Sequence, residues 1–456
     1  MPLNATAART DRLHKLSRLA LAGLALGCSE RQQHLEPDWP PPDEIAQLRF
    51  DPPCLIVDRE LKCWAWDAEA DPVLLGRDQP FPSGPLPPVS LGGDVRTVET
   101  HQDFSRCAAL VDGRVKCWGY NDGHVLALPD TDDVVGDEPD EWGASLAAIE
   151  LGAGRALGVV SVSLGHCAWL EDGRVKCWGT SFAGSLGVPE GVVLGDEPDE
   201  LGDNLPAVEL GDDVRVVGLD GEGAHLCALT DDGRVKCWGA NVRGQLGIGS
   251  THSRGGDPEQ MGDALPYVDL GTSTPVRQVS VGYQHSCVLL GDGRVKCWGS
   301  NSERAWNGID WEHWDAGRLG VGDLDDRGDH PSSMGDSLAH VDLGEAARAV
   351  AISAGLYHTC ALLDSGRLAC WGANGSGQLG LGDDEDRGDE PGEMGDALPR
   401  VDLGSERTVR AFEVAGLRTC ALLDDDSVKC WGTGVGDEPN EMGDALAPLL
   451  RATDLR

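Results

Sequence analysis

Two thiols facing each other across a hairpin can oxidise to a disulfide or bind a metal. The 456-residue chain has fifteen cysteines. Cys28 stands alone. The other fourteen fall into seven pairs: Cys54 and Cys63, Cys107 and Cys117, Cys167 and Cys177, Cys227 and Cys237, Cys287 and Cys297, Cys360 and Cys370, Cys420 and Cys430. Six pairs are spaced by ten and the first by nine, and successive pairs begin 53, 60, 60, 60, 73 and 60 residues on. Between Cys227 and Cys237, a three-residue loop Asp231-Asp232-Gly233 with glycine left-handed sets Thr230 opposite Arg234, Leu229 opposite Val235 and Cys227 opposite Cys237. Between Cys54 and Cys63, a two-residue loop Asp58-Arg59 restores the same opposition over the shorter spacing. Opposed cysteines in a non-hydrogen-bonded pair lie close enough to bridge, so the spacing predicts one disulfide per hairpin. A metal at each pair would need two further ligands, and no histidine is spaced to supply them in every unit.

Other groups invite chemistry and lose it to the repeat. Gly335-Asp336-Ser337-Leu338 spells the GDSL of a class of serine esterases, but other units fill that slot with Gly262-Asp263-Ala264-Leu265 and Gly395-Asp396-Ala397-Leu398. The serine therefore reads as a variant of a turn, and no base is positioned beside it. Arg327-Gly328-Asp329 and Arg387-Gly388-Asp389 spell an adhesion tripeptide, again in a slot other units fill with Gly136-Asp137-Glu138 and Gly195-Asp196-Glu197. Read as a Ca²⁺ loop, 322–329 would offer Asp323 and Asp325, but Arg327 takes a ligand position and Met334 replaces the bidentate glutamate. His225, His285 and His358 each stand two residues before a cysteine. Equivalent positions on repeated units form a ring rather than a metal cluster, and a hydrogen-bonding role is expected. No catalytic constellation, metal site or cofactor is predicted. Three tryptophans, Trp306, Trp311 and Trp314, lie in the one long departure from the period and are the expected ligand contacts; the competing reading is that they fold back over a sheet edge.

Each unit brings the same elements to these residues. An alternating apolar run ends in the first cysteine, as in VRQVSVGYQHSCVLL (276–290), and a turn leads to a second run, GDGRVKCWG (291–299). A Gly-rich stretch such as NVRGQLGIG (241–249) and an acidic segment then precede a last apolar run, MGDALPYVDLG (261–271). Four short strands per unit is the content of one propeller blade. The fold class expected is all-β, a seven-bladed β-propeller with one disulfide inside each blade. Trp64, Trp118, Trp178, Trp238, Trp298, Trp371 and Trp431 directly follow the second cysteines and are expected as packing anchors.

The formal net charge is -40, from 37 Lys+Arg against 77 Asp+Glu. Such a chain repels nucleic acid, so no nucleic-acid partner is expected. With 62 glycines and 26 prolines, turns outnumber long helices. Arg9, Arg12, Lys15 and Arg18 precede a nine-residue apolar stretch, Leu19 to Gly27, too short to span a bilayer. Residues 1–27 therefore read as an export signal. The ending Leu26-Gly27-Cys28 resembles a bacterial lipoprotein cleavage box, with Ala25 in place of the usual leucine. That resemblance implies lipidation of Cys28 as the sole membrane attachment. Residues 28–44, with four prolines, read as a tether, and 45–451 as the propeller. Export and seven cysteine pairs agree, since disulfides persist outside the cytoplasm.

The runs HTCALLDSGRLACWGANGSGQLGLGDD (358–384) and HLCALTDDGRVKCWGANVRGQLGIG (225–249) resemble the regulator of chromosome condensation repeat family over about residues 45–450. The resemblance implies a seven-bladed propeller, and the paired cysteines resemble its secreted bacterial branch. Nuclear members act as exchange factors on a small GTPase; no exchange residues can be matched here. Bacterial β-lactamase-inhibitor proteins share the architecture and bind enzymes through one face of the ring. The pattern breaks in three places: the short, Pro-rich first unit (45–92), an insertion of about 13 residues against the period in the fifth (within 302–317), and TGVGDEPN (433–440) in the last. The expectation is an exported, monomeric, non-catalytic module binding an unidentified protein or glycan in the cell envelope or outside the cell. The alternatives are a regulator or inhibitor of an extracellular enzyme, and a propeller enzyme.

Overall fold

In a computed structural model of the chain, the described residues are 48–49, 54–63, 86–100, 105–128, 134–306, 311–433, 435–436, 438 and 440–451. Contacts divide the chain into Met1–Pro40 and Pro41–Arg456, and everything below concerns the second unit. The expected export signal, Cys28, the whole tether, and Trp64 lie outside the described residues.

Seven antiparallel sheets succeed one another along the chain, each built from consecutive strands. They are the blades of an all-β propeller. In the fourth blade the strands are Val216–Glu222, His225–Thr230 and Val235–Gly239, innermost first. The outer run then returns, and Val268 N–H donates to the Val235 carbonyl at 2.9 Å. The same bond recurs from Val89 to Leu61, Ile149 to Val115, Val208 to Val175, Val341 to Val295, Val401 to Leu368 and Leu449 to Val428. This outer run is shorter than the fourth strand the sequence suggested, bridging the third strand at single positions such as Lys116 with Ala148 and Lys176 with Ala207. A separate segment before it pairs with the third strand's other end, over two residues at Val134–Val135 and Val193–Leu194 and at single positions in the next three blades. One reason for the short outer run is proline: Pro206, Pro266 and Pro399 stand two residues before the bonded valine and have no N–H to offer.

The hairpin register matches the expectation. Leu229 faces Val235, Ala228 faces Lys236 and Cys227 faces Cys237, with Gly233 at φ +78°. In the first blade Val57 faces Glu60 and Cys54 faces Cys63, with Asp58 and Arg59 both left-handed as a two-residue hairpin turn requires. All seven pairs are disulfides, with Cα–Cα separations of 4.0–4.1 Å.

Adjacent blades are joined by polar contacts that the tryptophans organise. Trp118, Trp178, Trp238, Trp298, Trp371 and Trp431 are all buried. Five of them reach into the preceding blade, whose Gly-rich loop accepts the indole N–H: Trp178 at Val125 (3.0 Å), Trp238 at Ser185 (2.8 Å), Trp298 at Gln245 (2.9 Å), Trp371 at Arg318 (3.1 Å) and Trp431 at Gln378 (3.0 Å). Trp118 follows the short first unit, and its indole nitrogen has no hydrogen-bond partner among the described residues.

Three histidines share these junctions. His225 Nε2 meets Ser286 Oγ of the next blade at 2.9 Å, His285 meets Thr359 at 2.9 Å and His358 meets Thr419 at 2.8 Å. Each hydroxyl donates to the carbonyl that also receives the tryptophan, at Gln245, Arg318 and Gln378. The hydroxyl proton is thus committed, so Nε2 must carry the hydrogen, and the buried Nδ1, which has no hydrogen-bond partner among the described residues, favours the neutral imidazole. Burial pushes His225 and His358 down to about 3. Burial also holds His285 well below its ordinary value, with Arg318, His225 and His358 adding repulsion. Between the second and third blades the pair is swapped: Ser105 occupies the histidine slot and His166 the hydroxyl slot, 3.0 Å apart.

The lysine before the second cysteine is a further staple. Lys236 Nζ donates to the carbonyls of Leu210 (2.6 Å) and Gly262 (3.0 Å), and Lys296 to those of Leu270 and Leu338 (both 2.7 Å), one acceptor in the preceding blade and one in its own. Burial lowers the pKa of both amines. The last blade packs against the first through Leu422, Val428 and Leu450 around Leu55 and Leu86.

Candidate binding face

Antiparallel pairing sets His225 opposite Gly239, His285 opposite Gly299 and His358 opposite Gly372. The turn from first to second strand and the loop from third to fourth therefore leave each blade at one end. Backbone bonds from Ala240 to Ala224, Ser300 to Gln284 and Ala373 to Tyr357 tie them together. This end is the loop face; the Asp-Gly-Arg turns between second and third strands form the turn face.

Buried asparagines shape the long loops. Asn241 accepts from Leu246 N–H and donates to the carbonyls of Ser250 and His252, and Asn374 accepts from Leu379 N–H in the same way. The glycines explain why the run is Gly-rich. A Cβ on Gly244 would sit 2.2 Å from the Asp329 nitrogen of the next blade, and one on Gly317 2.3 Å from that of Asp389. Sequence reasoning passed over these asparagines, the lysines and the hydroxyls. Their recurrence in unit after unit was the signal available.

The same contacts decide the adhesion tripeptides. Gly328 and Gly388 are buried against the preceding blade, and Arg327 and Arg387 are paired with Asp323 (2.7 Å) and Asp383 (2.8 Å). They are inter-blade turns, as the repeated slot implied. In the loop 322–329 the Arg327 guanidinium lies where a cation would, and no cluster of metal-ligating side chains occurs among the described residues. Ser337 closes a short 3₁₀ turn equivalent to that of Ala264.

The insertion in the fifth blade is a hairpin of its own, Ser302–Trp306 paired with Trp311–Asp315, not hydrogen-bonded into a blade. It grows from the loop face, between Asn301 and Gly317, the slot that Val242 and Arg243 fill in the fourth blade. Trp306 pairs with Trp311 and Glu303 with Trp314, so positions 306 and 311 share one parity and 314 holds the other. The structure brings two of the three expected contacts to one rung and separates the third. Their side chains lie outside the described features.

Among the described residues six large hydrophobic side chains are exposed: Phe182 (48%), Val192 (36%), Val217 (45%), Val242 (63%), Tyr283 (40%) and Val435 (38%). All but Val217, on an innermost strand, belong to loop-face turns and loops. Phe182 and Val242 occupy equivalent positions in adjacent blades, and the hairpin follows in the next. Apart from Val435 in the seventh blade, the exposed loop-face apolar groups thus run along an arc over the third, fourth and fifth blades.

Comparison with known proteins follows from this architecture. Residues 276–304, 349–378 and 232–289 match the regulator of chromosome condensation (RCC1) repeat. The chain is 27% identical over 308 residues to the ultraviolet-B receptor UVR8 of Arabidopsis thaliana, covering 66% of this chain and 59% of that protein, so it spans about three fifths of that relative. Its fold is similar to a chain of the crystal structure of Kap60 bound to yeast RCC1 (Prp20), with TM-score 0.58 and 16% identity over 97% of this chain and 92% of that one. Human WBSCR16 is also similar, with TM-score 0.55 and 18% identity over 80% and 82% of the two chains. Repeat matches, blade count and structural likeness agree: the chain carries RCC1 repeats and folds as an RCC1-like β-propeller.

Proposed function

We propose that the chain is an exported recognition module, monomeric and without catalysis, that binds a protein or glycan partner through its loop face. The observation that carries this reading is the Trp-bearing hairpin, an addition to a repeat whose own groups are spent on joining blades. Loops raised on a rigid scaffold are where binding residues concentrate, and Trp is favoured at binding hot spots. The fold is one used for binding: a similar chain was solved in a structure of Kap60 bound to yeast RCC1. Seven disulfides suit an oxidising compartment, in keeping with an N-terminal export signal and a lipid on Cys28.

Two measurements test this. Mass spectrometry of the mature N-terminus is expected to find a lipidated Cys28; a chain retaining Met1 would refute export. Affinity for a partner identified by envelope pull-down is expected to fall roughly tenfold or more in Trp306→Ala/Trp311→Ala/Trp314→Ala. Unchanged affinity would refute the hairpin as the contact.

A further inference from the structure

The exposed apolar arc is set in negative charge that is not neutralised locally. Among the described side chains, the arginines of the loop-face loops over these blades are already engaged: Arg243 with Asp326 (3.3 Å), Arg327 with Asp323 and Arg387 with Asp383. Arg254 donates to the His252 and Ser253 carbonyls, and Arg318 is fully buried. Glu190, Asp325, Asp384 and Glu385 remain exposed on the same loops, with no ion pair among the described residues. On the turn face, four hairpins answer an aspartate with the arginine two residues on, at 2.5–2.7 Å. Among the described residues a single exposed large hydrophobic, Val217 at the start of an innermost strand, lies near that face.

Apolar surface with unpaired carboxylates around it suits a ligand that brings both apolar contact and positive charge. A neutral glycan would leave those carboxylates unanswered, and an acidic partner would be repelled. Over longer range, a net charge of -40 draws cations toward the whole molecule; only the loop face adds apolar surface to hold one.

Resting on the binding reading above, we infer that the loop face over the third to sixth blades docks a basic polypeptide segment. Its lysines or arginines meet Glu190, Asp325, Asp384 and Glu385. Its aliphatic or aromatic side chains lie on Phe182, Val242 and the hairpin. Much of the affinity is electrostatic, so it falls with salt.

The test uses the mature, oxidised protein and three probes followed by calorimetry: a peptide of alternating leucine and lysine, its leucine–glutamate counterpart, and a neutral N-acetylglucosamine oligomer. Three variants accompany the wild type. Trp306→Ala/Trp311→Ala and Asp325→Asn/Asp384→Asn/Glu385→Gln alter the loop face. Glu171→Gln/Asp231→Asn/Asp364→Asn removes the same charge from the turn face. The hairpin lies outside the repeated framework, and near-ultraviolet circular dichroism checks that each variant is folded. The inference expects saturable, salt-sensitive binding of the lysine peptide alone. Either loop-face variant should weaken it by roughly tenfold or more, and the turn-face variant should leave it within about twofold. Equal weakening by loop-face and turn-face charge variants overturns it, because attraction to a polyanion would then be the whole effect. Trp306- and Trp311-dependent binding of the glutamate peptide or the oligomer also overturns it, while leaving the broader recognition reading standing. No saturable binding of any probe overturns both.

Discussion

Arg400 does the work of a lysine that is absent at Ala369. In the fifth blade Lys296 joins the Leu270 and Leu338 carbonyls; the sixth has alanine at that place, and its equivalent carbonyls, Leu343 and Leu398, receive Arg400 at 2.6 and 3.0 Å. The donor comes from the outer strand instead of the third strand, yet the same two blades are stapled.

It follows that Arg400→Ala should destabilise the protein by about 1–3 kcal/mol, since two partly buried carbonyls lose a charged donor. Adding Ala369→Lys to that variant should restore most of the loss. Guanidinium unfolding midpoints of the two variants and the wild type decide it. Equal midpoints for Arg400→Ala and wild type would remove the staple.

Acid should loosen the junctions between the fourth and seventh blades. The folded pKa of His225 and His358, about 3, lies below the unfolded value near 6.5. The unfolded chain therefore binds more protons between these limits, and stability held above pH 6.5 is lost as pH falls toward 3. Each histidine contributes about 1.4 kcal/mol per pH unit, so roughly 2–3 kcal/mol between pH 6.5 and 4.5. Urea titrations across that range should show a shallower slope for His225→Gln, whose amide can still donate toward Ser286. An unchanged slope refutes the neutral histidine lock.

Asp389 should act with the opposite sign. Burial, with Glu393 beside it, pushes its carboxyl up to about 7, and Oδ1 has no hydrogen-bond partner. The folded state binds the extra proton here, so stability present at acid pH is lost as pH rises toward and past 7. Asp389→Asn should therefore raise the melting temperature at pH 8 more than at pH 5. Equal shifts at the two pH values would contradict the raised carboxyl.

The tryptophans should not be equivalent. Trp298 donates its indole N–H to Gln245, whereas that of Trp118 has no partner. Replacing Trp298 with Phe should cost about 1 kcal/mol more than replacing Trp118, beyond the packing both lose. Matching losses in thermal unfolding would show that the indole bonds contribute nothing.

Seven repetitions made much of the fold legible. The opposition of Cys227 and Cys237 followed from a turn and a spacing, and Trp298 from its recurrence after each second cysteine. What stayed hidden was compensation across space. Nothing near Ala369 in sequence names Arg400, and the Ser105–His166 pair inverts the usual order of its two slots. The insertion was legible as a break in the period, but only strand register shows Trp306 facing Trp311 while Trp314 takes the other parity. A contact surface is a sum over loops of separate blades, so no single segment announces that Phe182 and Val242 are exposed at equivalent places in adjacent blades.

Every blade is made from one continuous stretch of chain, from Leu48 to Val89 in the first and from Val409 to Leu450 in the seventh. Among the described residues no strand is exchanged where the circle meets itself; the seam rests on side chains such as Leu55 against Leu422. A chain so arranged can be cut and rejoined at any boundary between blades with its hydrogen-bonded ladders intact. Pulled from its two ends, it should part first at that seam and then shed whole blades, each still closed by its own sulfur bridge.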